Sequence, residues 1–105
     1  MQEHRKYTAT FKGGQVIRRG SRTRSYEFAW ALIDADGRII RSGFSRNEGL
    51  AHSAVNTELA QFTKAQGQWR AGTHPQQNAS GAQGEMLKAY FSKPARAEVA
   101  AVTAI

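Results

Sequence analysis

The chain has 105 residues and a mass of 11.6 kDa, room for one domain and little more. Apolar residues make up 40% and charged residues 22%, ordinary globular usage that argues against wholesale disorder. Fifteen Lys+Arg against eight Asp+Glu give a net charge of +7, and the absence of cysteine excludes disulfide scaffolds, thiol nucleophiles and Cys-based zinc sites. No apolar run is long enough to span a membrane, and the opening segment MQEHRKYTATF has no apolar signal core. The composition is that of a soluble intracellular protein, expected in the cytoplasm and away from membranes.

The positive charge is concentrated. Residues 1–46 carry ten cations and four acids, a net +6, whereas residues 47–105 carry five cations and four acids, a net +1. That asymmetry points to an anionic partner for the first half.

In chain order, residues 5–12 alternate, with Tyr7, Ala9 and Phe11 on one side and Thr8 and Thr10 on the other, the pattern of a half-buried strand. Gly13-Gly14 supplies a turn and residues 15–18 a short return strand. Next comes Arg18-Arg19-Gly20-Ser21-Arg22-Thr23-Arg24, four Arg in seven residues, too polar to bury and therefore an exposed loop or strand end. Residues 25–33 (SYEFAWALI) form the clearest strand, with Tyr26, Phe28, Trp30 and Leu32 at period two and a mostly small, apolar opposite face. Asp34-Ala35-Asp36-Gly37 reads as a hairpin turn, and residues 38–44 return as the partner strand.

Ser45-Arg46-Asn47-Glu48 fits a capping box, with Ser45 as N-cap. Behind it, Ala51, Val55, Leu59 and Phe62 recur at spacings of four, four and three, the buried stripe of an amphipathic helix ending near Gly67. Residues 67–84 lack periodicity and are expected to form a long mobile loop. Residues 85–92 have the makings of two helical turns, and AEVAAVTAI after Pro94 reads equally as a helix or a strand. The helix can cover one sheet face only, so the alanine side of the 25–33 strand needs another cover, either the apolar tail or a second copy of the chain. The expected architecture is α+β: a three- or four-stranded antiparallel sheet packed by one long helix. Residues 1–66 form the core, 67–84 the loop, and 85–105 a C-terminal extension docking on the core.

The arginine loop is the strongest functional signal, because phosphate recognition favours planar, permanently charged guanidinium forks. The expected contacts for nucleic acid or another anionic partner are Lys12, Arg18, Arg19, Arg22, Arg24, Arg38 and Arg41, with Arg70 and Trp69 in the polar loop, the indole either an exposed aromatic beside a cation or a pin that holds the loop onto the domain. Catalysis is not expected. His4, His52 and His74 are far apart without metal-ligand spacing, Ser21, Ser42 and Ser45 lack a G-x-S-x-G context, and Gly13-Gly14 is too short for a phosphate cradle. No cofactor or metal is implied.

Residues 26–62 resemble the hairpin-plus-helix segment of ribonuclease-H-like domains, with Glu58 at the place of the helix carboxylate. The first strand offers Thr8 and Thr10 where that family carries a metal-binding Asp, so the resemblance does not imply two-metal chemistry. Gly43-Phe44-Ser45-Arg46-Asn47-Glu48 is similar to the strand-to-helix junction of double-stranded RNA-binding domains, departing at Asn47 and Leu50 where that family has Lys. In overall style the chain resembles small accessory proteins of phages and mobile elements, which implies either nucleic-acid binding or inhibition of a host defence nuclease complex in the manner of anti-CRISPR proteins. A structural subunit of an oligomer, for example a homodimer formed through the Ala29, Ala31 and Ile33 face, is the remaining reading.

Overall fold

The computed structural model describes residues 6–11, 14–19 and 27–104. The element order is β1 (Lys6–Phe11), β2 (Gly14–Arg19), β3 (Phe28–Asp34), β4 (Ile39–Ser45), α1 (Glu48–Ala71), α2 (Gly81–Ser92), β5 (Ala95–Ala101) and β6 (Thr103–Ala104). The class is α+β, with antiparallel sheet packed against helices.

The strands form two three-stranded sheets, ordered β2-β1-β6 and β4-β3-β5. The tail that reads as helix or strand is a strand: β5 pairs antiparallel with β3 along its whole length, from Phe28 opposite Ala101 to Asp34 opposite Ala95. At Val102 the chain leaves one sheet for the other. The Val102 N–H donates to the Glu27 carbonyl at 2.8 Å, and Thr103 and Ala104 then pair with Thr8 and Tyr7 of β1.

Strand β3 is buried on both faces. Ala29, Ala31 and Ile33 meet Ala9 and Phe11 of β1, with Ile39, Phe44, Ala100 and Val102 packed around them. Leu32 on the opposite face meets Val55 and Phe62 of α1 and Phe91 of α2, with Trp30, Ala97 and Val99 beside it. The alanine side is thus covered by the β2-β1-β6 sheet, chiefly through Ala9 and Phe11 of β1, and the tail contributes Ala100 and Val102 to the same cluster. Small side chains on β3 leave room between the sheets for Phe11 and for Phe44, the cross-strand partner of Ala29.

Two local expectations are corrected. Ser45 belongs to β4, where its carbonyl accepts from the Glu27 N–H, so its backbone serves the sheet. The N-cap is Asn47, whose Oδ1 accepts from the Leu50 N–H at 2.9 Å. Helix α1 also runs past Gly67 to Ala71 and is capped by Gly72 in the left-handed conformation (φ 81°). Gly67 lies on the solvent side, and the stripe continues through Ala65 and Trp69, whose packing outweighs a glycine penalty of about 1 kcal/mol. Of the segment 67–84 only residues 72–80 are irregular, since 67–71 belong to α1 and 81–84 to α2.

Gly43 is opposite Trp30, and the indole lies over it: a Cβ there would sit 2.5 Å from Trp30 Cζ2. Gly43→Ala should therefore displace the indole and lower stability by about 1–3 kcal/mol, read by denaturant unfolding. Asn47→Ala should cost about 1 kcal/mol in the same assay, and Ser45→Ala distinctly less if Asn47 is the cap.

Candidate functional site: an aromatic cleft with a polar rim

Local hydrogen bonding sets the first wall of the site. Asp34 Oδ1 accepts from the N–H groups of Asp36 and Arg38 at 3.0 and 2.9 Å, and Gly37 takes positive φ (83°), so the turn is rigid. After it the register slips: Ile33 pairs with Ile39 and Leu32 with Arg41, leaving Ile40 as a bulge. Ile39 packs between the sheets and Ile40 on the helix side. The bulge thereby sets Arg41 beside Leu32 in the lining of a cleft, the re-aiming that bulges commonly perform.

Helices α1 and α2 and the 72–80 segment close the other walls. Five rings from three elements form one cluster. Trp69 stacks on Phe91 at 5.2 Å, His74 tilts against Phe91 at 4.6 Å, and Tyr90 stands edge-on to Phe62 and Phe91 at 5.3 and 4.9 Å. The His74 N–H is held by the Gln68 carbonyl and Gln77 Oε1, and its Nδ1 accepts from the Gln76 N–H at 3.1 Å. That bond places the proton of the neutral ring on Nε2. The resulting cleft has a volume of about 510 Å³, within the size range of small-molecule sites.

Its floor is apolar and its rim polar. Arg41 reaches Glu58 at only 3.8 Å, with 68% of its side chain exposed, a loose pair that leaves the guanidinium open to another anion. Burial pushes the Tyr90 phenol above its ordinary value; nearby Arg41 pulls it down and Glu58 pushes it up further, so Tyr90 remains a neutral donor at physiological pH.

The sequence-predicted contacts divide into three groups. Lys12, Arg22 and Arg24 lie outside the described residues. Arg18 and Arg19 fall in β2, opposite Tyr7 and Lys6 of β1. Arg38, Arg41 and Arg70 are exposed, Arg70 in the last turn of α1 where a cation also suits the helix dipole. Trp69 lies in α1 and not in a loop, and of its two readings the structure has the pin: half-buried in the ring cluster, it fastens the 72–80 segment to Phe91. Sequence reasoning missed Tyr90, His74, Phe91, Gln61 and Gln76, which come together only once α2 folds back on α1. The one available signal was Trp69 seven residues beyond Phe62, on the same helical stripe.

No family model, curated protein or solved structure matches this chain. No group of three or more His, Cys, Asp or Glu among the described residues is arranged to hold a metal ion, and no helix among them is long and apolar enough to cross a membrane.

The cleft wall is braced from behind. Lys93, between α2 and β5, bonds Asp36 of the hairpin turn, and its carbonyl accepts from Gln66 Nε2 of α1 at 3.0 Å. The Lys93 hydrogen bond and charge hold the Asp36 carboxyl below its usual value. A lowered native pKa stabilises the fold at pH above the unfolded value of about 4, and the contribution is lost as pH falls through the native value. Asp36→Asn should melt earlier than the wild type at pH 6, and the gap should close as the pH is taken down through the acid range.

Proposed function

We propose that this protein is a non-enzymatic module that binds nucleic acid, free or within a nucleoprotein, of the kind carried by phages and mobile elements. The contacts are phosphates, and the contact set is Arg18, Arg19, Arg22 and Arg24 together with Lys12, Arg38 and Arg41. Arg70 extends the set if the bound strand is long enough to reach it.

The supporting observation is the fate of the chain's own carboxylates. Of the eight acids, Asp34 is bound to turn amides, and Asp36, Glu48, Glu58 and Glu98 already face Lys93, His52, Arg41 and Arg96. Among the described residues Arg38, Arg46, Lys64, Arg70 and Lys88 are exposed and make no ion pair. However the remaining groups are arranged, fifteen cations exceed eight acids by seven, so the surplus must meet solvent or a foreign anion. Ten of the fifteen are Arg, the side chain suited to forked phosphate contacts.

Fluorescence anisotropy with mixed-sequence single- and double-stranded oligonucleotides at two salt concentrations tests the reading. Each phosphate contact should contribute about −0.7 to −0.9 to the slope of log affinity against log salt. Replacing Arg18, Arg19, Arg22 and Arg24 together by Ser should flatten that slope and weaken binding to every sequence alike. Absent or salt-independent binding would overturn the reading. A stable protein complex surviving nuclease digestion would put a protein-directed inhibitor in its place.

A further inference from the structure

The cleft has no part in a purely phosphate-directed contact set, and its chemistry differs from that of the surrounding surface. Four polar groups at its rim have hydrogen-bonding capacity that no described residue uses: the side-chain amides of Gln61 and Gln76, the Tyr90 hydroxyl and His74 Nε2. Together they offer donors and acceptors, the amides supplying both. Behind them lie ring faces and edges, Phe62 and Phe91 in the floor and Tyr90 39% exposed at the mouth. Arg41 stands on the same rim, mostly exposed and only loosely paired with Glu58, which lines the cleft beside it and which an incoming phosphate would displace from the guanidinium.

A flat heterocycle with donors and acceptors around its edge, joined to a phosphate, matches that arrangement group for group. The rings supply the stacking partner, the amides and His74 read the edge, and Arg41 takes the negative charge. A purely aliphatic ligand would leave the rim unbonded, and an inorganic anion would not use the rings. The chain's surplus of seven cations favours an anionic occupant over a cationic one.

We infer that the cleft lined by Arg41, Gln61, His74, Gln76 and Tyr90 is a nucleobase pocket that receives one unpaired base of a single-stranded nucleic acid, with Arg41 on the adjoining phosphate. The inference rests on the nucleic-acid reading above and adds to it a base-dependent contact separate from the salt-dependent one. It makes the protein a single-strand binder, because a base inside a duplex is not free to enter.

The test compares a single-stranded hexanucleotide with an abasic oligomer of the same length and charge, by anisotropy at fixed salt. The base-bearing strand should bind about tenfold more tightly, the scale of one base–aromatic stack. Tyr90→Ala should bring that ratio close to one while leaving affinity for the abasic strand unchanged, and Arg41→Gln should weaken both strands. Should Tyr90→Ala fold poorly, the Gln61→Ala/Gln76→Ala pair, at exposed rim positions, must cut the ratio instead. The His74 ring resonances should shift with the base-bearing strand and not with the abasic one. Equal binding of the two strands by the wild type would overturn the base pocket and leave phosphate binding intact, and a ratio preserved in Tyr90→Ala would place the base elsewhere. Failure to bind either strand would remove both readings.

Discussion

Burial of β3 on two faces is the constraint from which the remaining structure follows. A strand with Ala29, Ala31 and Ile33 on one side and Trp30 and Leu32 on the other has no face suited to water, so it needs a cover above and below. The N-terminal hairpin supplies one and α1 with α2 the other. The three-layer arrangement also fixes the functional geography. The arginine-bearing β2 belongs to the outer sheet, whereas the cleft, with Arg41 of β4 on its rim, belongs to the helix side of the inner one.

The two surfaces are built by different physics. The cationic one is a matter of stoichiometry: most carboxylates are engaged inside the molecule, so the charge left over faces outward. The cleft is a matter of topology. It exists because α1 continues to Trp69, because Gly72 turns the chain back, and because Phe91 then stacks on Trp69 with His74 tilted against it. Arg41 is the cation that lines the cleft, delivered there by a one-residue bulge.

Much of this was legible in the residues. Period-two alternation located β3, the Asp34–Gly37 turn located the hairpin, and the spacing of Ala51, Val55 and Phe62 located the long helix. The errors share a cause: local chemistry was outweighed by distant partners. Ser45 has the side chain of a cap, yet its backbone is claimed by Glu27; Gly67 has the conformation-breaking residue of a helix end, yet Trp69 beyond it is held by Phe91. The alanine-rich tail is ambiguous by itself and becomes a strand because β3 had an unpaired edge. A pocket assembled from residues 41, 61, 74, 76 and 90 leaves no contiguous motif, so only the fold could reveal it.

The last long strand lies beside the central one and then crosses to the other sheet, which gives the chain an order of assembly. The edge of β3 toward β5 stays open, and β1 lacks its second neighbour, until residues 95–104 have left the ribosome and found both. Such distant pairings are entropically slow to close, so the nascent chain carries an unsatisfied strand edge until residues 95–104 are made. The same stitch couples the two sheets: peeling off residues 95–104 strips an edge strand from each of them at once.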